Sequence, residues 1–325
     1  MDELPKQLHG VWHTGSWLAV SEILGGAVNR VYAITAIHGR FVLRRYRAGS
    51  AALLRREAEV TRAVSAQGLP AIPPIRTLAG DDGVEVEGSY FGLFPFAAGV
   101  QREASALSFD EVRSAGAVLG RLHRVLAELP IKGRRSPRLA WDGPAWAERL
   151  TKVEEVILAR PYLSTSDHIA LDRVRAQRAW LSSPECRHAD DLPDRLQITH
   201  GDYHHRNLFF ADQQVSGIID WEQTGLMPRA YEAIRAATYM FGLEADRTRQ
   251  FLQAWMAEAG GTRDELHRGA EVFAVVRDHW VWALEEVYLS GNTAAAEFIP
   301  AAPFEPFLQT WSRLVAQDKP SASVS

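Results

Sequence analysis

Several classes of protein are excluded by what this 325-residue chain has little of. It contains one cysteine, Cys186, so neither an internal disulfide nor a thiolate metal cluster can form. Its 36 lysines and arginines are outnumbered by 40 aspartates and glutamates, and the net charge of −4 argues against a nucleic-acid partner, which needs a basic surface. No apolar run approaches the about 20 residues that cross a bilayer, which predicts that there is no membrane partner.

Two further absences narrow the interpretation. The N-terminal segment MDELPKQLHG lacks the basic and apolar regions of a secretion signal, which predicts a cytoplasmic protein. The chain contains neither a GxxxxGK(S/T) loop nor a GxSxG elbow, so it does not have the pattern of a P-loop kinase or of an α/β-hydrolase. No internal repeat is found, and no feature of the sequence indicates an oligomeric state.

What is present divides into a β-rich beginning and a helical remainder. Strand patterns are followed by an amphipathic helix and a hairpin, over Trp17–Leu24, Asn29–Ile37, Phe41–Arg47, Ser50–Ala66, Val84–Val86 and Tyr90–Phe94. Beyond small residues at Ala97–Gly99, helical periodicity dominates, over Asp110–Leu129, Pro144–Ala159, Asp167–Leu181 and again from Tyr231.

This order of elements predicts an α+β, bilobed fold rather than a doubly wound sheet. We expect a small antiparallel sheet in an N-terminal, nucleotide-binding lobe over residues 1–96. A larger, mostly helical lobe for catalysis and substrate binding is expected over residues 97–325. Its polar tail, residues 319–325, is predicted to be disordered.

The densest polar cluster lies in the segment ITHGDYHHRNLFFADQQVSGIIDWE. Apolar residues at Asn207–Phe210 and Val215–Ile219 flank a turn, which predicts a β-hairpin. Such a hairpin brings Asp202, Asn207 and Asp220 to one end of two paired strands. Phosphoryl transfer uses these residue types: one carboxylate orients the attacking hydroxyl, while an amide oxygen and a second carboxylate hold Mg²⁺. In this order and spacing they indicate a phosphotransferase.

The same segment resembles the aminoglycoside phosphotransferase and choline kinase superfamily. The pattern HGDxHxxN, followed by two apolar residues, Asp, an aromatic and an acidic residue, is matched by His200, Gly201, Asp202, His204, Asn207, Ile218, Ile219, Asp220, Trp221 and Glu222. The resemblance implies a protein-kinase-like fold and transfer of the γ-phosphoryl group of ATP, with Mg²⁺, to a hydroxyl group of a small molecule. It also implies that Asp202 is the catalytic base and that Asn207 and Asp220 are Mg²⁺ ligands.

The resemblance extends, more loosely, to the first hundred residues and implies a nucleotide site there. Its parts are a glycine loop, whose backbone N–H groups approach the phosphates, and a hinge that contacts the adenine. The loop residues are Gly25, Gly26 and Asn29, and the hinge residues are Phe94 as gatekeeper, Pro95 through its carbonyl and Ala97 through its N–H.

Arg44, in FVLRRYR, takes the strand position at which the family usually has a phosphate-anchoring lysine. Arginine keeps the positive charge, but its side chain is longer and its guanidinium is planar, so this departure bears on the efficiency of phosphoryl transfer. Its expected partner on the following helix is Glu57, with Glu59 as the alternative.

An acceptor pocket is expected, from the same resemblance, between the catalytic loop and the C-terminal helices, which directs attention to Arg277–Leu289. Read as one helix, this segment brings aromatic and acidic side chains to one side, a combination that suits a cationic acceptor. The candidate acceptor residues are Asp278, Trp282, Glu285 and Glu286, together with Glu222 after the metal-site strand. They favour an amine-bearing alcohol of the aminoglycoside, choline or ethanolamine, or homoserine class, among which fold analogy does not choose.

Four other interpretations stay open at this point. His200 and His204 have the i, i+4 spacing of metal ligands, which would give a metallohydrolase. Arginine at position 44 would suit a pseudokinase that binds nucleotide without turnover. Arg44 and Glu57 could form a solvated surface pair, and the tryptophans of HWVWALEE, Trp282 among them, could pack a core instead of lining a pocket.

Overall fold

A computed structural model describes residues 4–23, 30–46, 51–130, 143–186 and 196–316. They form two compact units. The first contains the described residues of Met1–Gly133, Ile198–Thr224 and Gln253–Gly260, and the second contains those of Arg134–Gln197, Gly225–Leu252 and Gly261–Ser325. The first unit therefore continues beyond residue 96, and the lobe boundary at that position stays a prediction.

Part of the predicted site lies outside the described residues. The glycine-loop residues Gly25, Gly26 and Asn29 are in this part of the chain, and so is the tail 319–325.

The first unit contains a five-stranded antiparallel sheet. Its strands are β1 (Trp17–Ile23), β2 (Arg30–Ala36), β3 (Gly39–Tyr46), β4 (Val84–Val86) and β5 (Ser89–Pro95). They are hydrogen-bonded in the order β1-β2-β3-β5-β4. The predicted strands agree closely with these bounds. One face of the sheet contributes to a buried apolar cluster, whose members include Tyr32, Ile34, Leu43, Phe91 and Leu93. Because β3 pairs with both β2 and β5, Arg44 on β3 lies in the interior of the sheet rather than on an edge.

Helix α1 (Ala51–Ala66) contributes to a second, smaller buried cluster in the same unit. Leu54 of the helix, Tyr46 of β3 and Phe94 of β5 are buried there together. Full burial of such an apolar side chain stabilises a fold by about 1.5–3 kcal/mol. This packing fixes α1 beside β3, so that Glu57 of the helix is also buried.

Helix α2 (Phe109–Glu128) begins with a capping box. The Glu111 N–H donates to Ser108 Oγ at 3.2 Å, and the Ser108 N–H donates to Glu111 Oε2 at 2.8 Å, which satisfies two backbone donors at the helix start. Farther along, α2 meets the last turns of α6 (Ala245–Ala259). Here a Cβ on Gly120 would lie 2.7 Å from the Trp255 carbonyl oxygen, so this position requires glycine.

The hairpin predicted over residues 207–219 is confirmed. The strand β6 (Gln197–Thr199) precedes it, and β7 (Leu208–Ala211) pairs antiparallel with β8 (Gln214–Ile218). Its two loop residues, Asp212 and Gln213, have φ values of 48° and 61°. Two left-handed residues in a two-residue loop match the twist of antiparallel strands, and aspartate tolerates this conformation better than most residues.

Helices dominate the second unit. They are α3 (Gly143–Leu158), α4 (Thr165–Leu181), α5 (Arg229–Phe241), the first half of α6, α7 (Arg263–Asp278), α8 (Trp282–Tyr288) and α9 (Phe307–Ala316), with a short strand β9 (Gly225–Met227) before α5. Leu150, Val153, Val174, Leu284 and Tyr288 belong to one buried cluster formed by α3, α4 and α8. Among the described residues, no helix combines the length and the apolar character that a membrane span needs.

The prediction of one continuous helix over Arg277–Leu289 is wrong. Helix α7 ends at Asp278, and α8 begins at Trp282. The Trp280 N–H donates to the Arg277 carbonyl at 3.1 Å, which is the three-residue spacing of a 3-10 turn rather than the four-residue spacing of an α-helix. The His279 ring nitrogen Nδ1 lies 2.7 Å from the Val275 carbonyl oxygen. These contacts satisfy the last carbonyls of α7 without another α-helical turn.

Candidate active site

The HGD segment contains a position that only glycine can occupy. Gly201 has a φ of 84°, and a Cβ added to it would lie 2.1 Å from the Gln223 carbonyl oxygen. The loop before Asp202 therefore passes directly against the turn that follows Asp220. This close approach is the physical reason for glycine in the HGD motif.

His200 holds the two sides of this arrangement together. Its Nδ1 accepts the Asp202 backbone N–H at 3.2 Å, so the proton of a neutral ring resides on Nε2, which donates to the Ile219 carbonyl at 3.0 Å. The ring also packs against Trp221, with centroids 4.5 Å apart. Because both nitrogens are engaged, His200 is not disposed to ligate a metal, and the metallohydrolase interpretation loses one of its two histidines.

Asn207 is oriented by Asp202. Its Nδ2 donates to the Asp202 backbone carbonyl at 2.8 Å and lies 3.3 Å from Asp202 Oδ2. The amide nitrogen is thereby used toward Asp202, which directs Asn207 Oδ1 elsewhere. His204 Nε2 lies 3.5 Å from the same Asp202 oxygen. The carboxylate of Asp202 thus sits among polar partners and remains partly exposed.

Asp220 follows β8 and is brought next to Asn207 by the hairpin. The Ile219 N–H donates to the Asn207 backbone carbonyl at 3.0 Å. Asp220 itself has a φ of 65° and a ψ of 64°, a left-handed conformation that turns the chain out of the strand. Its side chain keeps 38% of its surface exposed. The predicted proximity of Asp202, Asn207 and Asp220 is therefore present.

Arg44 lies among three carboxylates. Its Nη2 donates to Asp220 Oδ1 at 3.3 Å and to Glu222 Oε1 at short range, and its Nη1 lies 3.6 Å from Glu57 Oε1. Glu57, rather than the alternative Glu59, is the helix partner. The side chains of Arg44 and Glu57 are only 16% and 4% exposed, so the interpretation as a solvated surface pair is wrong.

The contact between Arg44 and Glu222 differs from the expectation. Glu222 was expected to add negative charge to the acceptor pocket, whereas the structure pairs it with the arginine of the expected phosphate site. The partner of Glu222 is 178 residues away in the sequence, so no local pattern identified it.

The charges in this cluster shift two pKa values. Burial lowers the pKa of Arg44, but Tyr46 and the three carboxylates Glu57, Glu222 and Asp220 outweigh it and raise that pKa above its usual value. Burial raises the pKa of Glu57 to about 7, although Arg44 and Tyr46 act in the opposite direction. Arg44 is thus a permanent cation, held beside a carboxyl group whose pKa is raised by burial.

The hinge residues lie at the end of the sheet. Phe94, on β5, is buried and faces Val42 of β3 across the ladder. Pro95 is the last residue of β5 and is exposed, while Ala97 beyond it is half-buried. A proline in this place has no N–H to leave unpaired, and its carbonyl remains an acceptor. The roles in adenine binding stay predictions.

The candidate acceptor residues on α7 and α8 are all in the second unit, and three of them have specific partners. Asp278 accepts the Phe307 backbone N–H at 3.1 and 3.2 Å through its two oxygens and is buried, which corrects its assignment to an acceptor-facing side. Glu285 forms a two-point ion pair with Arg149. Glu286 Oε2 accepts a hydrogen bond from Asn292 at 3.0 Å.

Trp282 lies in a group of half-exposed aromatic rings. Its ring stacks on Trp280 with an interplanar angle of 8° and a centroid distance of 6.3 Å. Trp280 and Trp282 are 43% and 42% exposed, and Phe298, 46% exposed, lies 5.6 Å from the Trp282 centroid. The interpretation of Trp282 as a core residue therefore does not hold.

Asp278 makes the stability of the second unit depend on pH. Burial raises the pKa of Asp278 to about 7, against the lowering effects of Arg277 and the Phe307 N–H. A raised pKa means that the folded protein holds the proton more tightly than the unfolded chain. This contribution to stability is complete below the ordinary pKa and is lost as the pH rises through about 7.

We therefore expect the melting temperature of wild type to fall between about pH 5 and 8, and that of Asp278→Asn to fall less. Thermal denaturation over this range checks the slopes. Asp172→Asn, an exposed aspartate on α4, is the matched control and should keep the wild-type slope. Equal slopes for wild type and Asp278→Asn would contradict a titrating Asp278.

Comparison with known proteins decides the family. A family model described as "Phosphotransferase enzyme family" matches residues 19–272, which is most of the chain. The chain belongs to the phosphotransferase enzyme family. The predicted resemblance and the predicted enzyme class, a small-molecule phosphotransferase, are thereby confirmed. A search of curated protein sequences gave no match.

Solved structures similar to this phosphotransferase confirm the α+β, kinase-like fold. An aminoglycoside phosphotransferase from Alicyclobacillus acidocaldarius has a TM-score of 0.67 at 13% identity, covering 98% of this chain and 97% of that one. Spectinomycin phosphotransferase, APH(9)-Ia, has a TM-score of 0.64 at 14% identity, covering 94% and 91%. The amicoumacin kinase hAmiN has a TM-score of 0.51 at 17% identity, covering 93% and 94%. At these identities the likeness concerns the fold alone.

Proposed function

We propose that this phosphotransferase transfers the γ-phosphoryl group of ATP, with Mg²⁺, to a hydroxyl group of a small molecule. The observation that carries the proposal is the grouping of Asp202, Asn207 and Asp220 at one end of the hairpin, with Arg44 in contact with Asp220. A base, two oxygen ligands for a hard cation and a phosphate-binding cation are the parts that phosphoryl transfer needs.

In this proposal each residue has one task. Asp202 accepts a hydrogen bond from the acceptor hydroxyl and takes its proton as the phosphoryl group is transferred. Asn207 Oδ1 and the Asp220 carboxylate are suited to hold Mg²⁺, since hard cations prefer oxygen ligands, and the bound ion neutralises charge on the phosphates. Arg44 exchanges part of its contact with Asp220 and Glu222 for the phosphates of ATP. Positioning and charge supply most of the acceleration.

Ligands of structurally similar proteins support the choice of reactants. The amicoumacin kinase was solved in complex with AMP-PNP, Ca²⁺ and Ami, and the spectinomycin phosphotransferase in complex with ADP and spectinomycin. A thermostable mutant of APH(4)-Ia, with a TM-score of 0.53, was solved with ADP and hygromycin B. A nucleotide together with a small organic acceptor is therefore the first combination to test here.

For the acceptor we propose an amine-bearing alcohol of the aminoglycoside, choline or ethanolamine, or homoserine class. The exposed, parallel rings of Trp280 and Trp282 support it, because aromatic faces attract organic cations. The acidic part of this site is smaller than expected from the sequence: Asp278 is buried, and Glu285 is paired with Arg149. Glu286 remains as an acidic candidate for the acceptor site, and its carboxylate accepts a hydrogen bond from Asn292.

The experiment that tests the proposed function is ATP consumption with Mg²⁺ against a panel of acceptors. Amine-bearing alcohols form one half of the panel, and neutral sugars of similar size form the other. We expect turnover with at least one amine-bearing alcohol and none after chelation of the metal. ATP binding without turnover on any acceptor would indicate the pseudokinase instead, and turnover confined to neutral sugars would remove the cationic acceptor.

Arg44 is expected to act through its charge. Arg44→Lys should retain turnover to within about threefold, because lysine carries the same charge, whereas Arg44→Ala should raise the KM for ATP by about tenfold or more. Steady-state kinetics with varied ATP measures both. Arg76→Ala is the matched control, because this exposed arginine of the same unit bonds the Gly80 carbonyl, and it should leave the KM unchanged. An Arg44→Ala variant with wild-type kinetics would remove Arg44 from the nucleotide site.

Trp282 is expected to contribute to acceptor binding. Trp282→Leu should raise the acceptor KM by about fivefold, the size of a moderate cation–π contribution, with little change in melting temperature because the ring is half exposed. Tyr162→Leu, which removes an aromatic ring that is 89% exposed in the same unit, is the control. A large fall in melting temperature with an unchanged acceptor KM would restore a structural role for Trp282.

A further inference from the structure

Tyr46 contacts both members of the Arg44–Glu57 pair. Its hydroxyl donates to Glu57 Oε2 at 3.0 Å, and its ring centroid lies 5.0 Å from Arg44 Cζ. Arg44 and Tyr46 are two residues apart on β3 and therefore extend from the same face of the sheet. Only 1% of Tyr46 is exposed, so solvent cannot substitute for its hydroxyl. Nothing in the function proposed above uses this residue.

The two oxygens of Glu57 have different partners. Oε2 accepts from the Tyr46 hydroxyl, while Oε1 lies 3.6 Å from Arg44 Nη1. A buried carboxylate is costly unless its oxygens are hydrogen-bonded, so the hydroxyl both orients Glu57 and favours its ionised form. Without the hydroxyl, Oε2 would be left unsatisfied, and Glu57 would rotate or take up a proton.

The position of the Arg44 guanidinium depends on this carboxylate. Asp220 and Glu222 contact its Nη2, while Glu57 faces Nη1. Without a fixed, charged Glu57, the Arg44 guanidinium would keep only its contacts with Asp220 and Glu222 and would shift toward them. Arg44 would then be less available to phosphates, although its charge would be unchanged.

We propose that Tyr46 is a positioning residue for nucleotide binding: its hydroxyl fixes Glu57, and Glu57 in turn fixes Arg44 for the phosphates. This inference rests on the proposed function, because it assumes that Arg44 binds phosphate. It assigns no contact between Tyr46 and the nucleotide itself.

The test is a double-mutant cycle on nucleotide affinity. Tyr46→Phe removes the hydroxyl and keeps the ring, so both the core packing and the ring contact with Arg44 persist. The dissociation constant of a non-hydrolysable ATP analogue with Mg²⁺ is measured for wild type, Tyr46→Phe, Glu57→Ala and the double variant. We expect Tyr46→Phe to weaken binding by about fivefold to tenfold in the wild-type background, the size of the net contribution of one ordinary hydrogen bond. In the Glu57→Ala background, Tyr46→Phe should leave the dissociation constant unchanged. In the wild-type background, Tyr46→Phe should change kcat at saturating ATP by less than about twofold.

A matched control separates positioning from lost stability. Tyr288→Phe removes a phenol that donates to a carboxylate, Asp167 Oδ1, at the same distance of 3.0 Å in the second unit. It should lower the melting temperature as Tyr46→Phe does, yet leave nucleotide affinity unchanged. If Glu57→Ala does not fold, Glu57→Gln replaces it, since glutamine keeps the volume and removes the charge that attracts Arg44.

Each outcome has a distinct meaning. Unchanged affinity in Tyr46→Phe, or an equal loss in both backgrounds, overturns the positioning role while leaving the proposed function intact. A wild type that does not bind the nucleotide overturns the proposed function and this inference with it.

Discussion

Replacing Asp202 with asparagine is expected to lower the rate of phosphoryl transfer by about a thousandfold while changing ATP affinity by less than about tenfold. The reason is that a base which orients the acceptor hydroxyl acts mainly in the transition state. Asparagine has the same shape, and its amide oxygen can still accept from the Asn207 amide, which lies 3.3 Å from Asp202 Oδ2 in the wild type. The catalytic loop should therefore remain folded.

Two measurements check this expectation. Single-turnover kinetics at saturating ATP and acceptor report the chemical step, and calorimetry with an ATP analogue reports affinity. Asp110→Asn is the matched control in the same unit, because this aspartate is exposed and paired with Arg113 at the start of α2. Near-normal turnover in Asp202→Asn would remove Asp202 from the mechanism.

The central part of the site could be predicted from the sequence because its geometry is local. The apolar runs and the turn between them determine that β7 pairs with β8, and pairing alone brings Asn207 next to the residue before Asp220. Gly201 likewise indicates a close backbone approach by its type, although not the Gln223 carbonyl that it meets. The spacing of a motif therefore predicts a site when a single hairpin positions its residues.

Side chains whose partners are distant in the sequence could not be predicted in this way. The Arg44–Glu222 contact joins residues 178 positions apart, and the Arg149–Glu285 pair joins residues 136 positions apart. Asp278 shows a different limit. A helical pattern put it on the side of Trp282, but the helix ends there, and its carboxylate caps the start of α9 at Phe307 instead. Helical periodicity predicts which side chains share a face only as long as the helix continues, and tertiary packing determines where it ends.

Replacing Asp220 with asparagine is expected to remove the Mg²⁺ dependence of nucleotide binding. Asparagine is the suitable substitution because position 220 has a φ of 65°, which asparagine tolerates and alanine does not, so the backbone is preserved. Loss of the only charged group among the two proposed oxygen ligands should weaken binding of the ATP analogue in Mg²⁺ by about tenfold or more, since hard cations favour carboxylate ligands. Activity should fall by a larger factor, because the ion also stabilises the transferred group.

The outcome in a chelator distinguishes a metal ligand from a residue that only shapes the loop. Asp220 accepts from Arg44 Nη2 at 3.3 Å in the free protein, so its neutralisation releases Arg44 toward the phosphates. Without metal, Asp220→Asn should therefore bind the analogue at least as tightly as wild type does. Asp212→Asn, with a φ of 48° in the turn of the same hairpin, is the matched control and should behave as wild type in both conditions. If wild-type affinity does not change on chelation, or if Asp220→Asn is weaker with and without Mg²⁺ by the same factor, the ligand assignment fails.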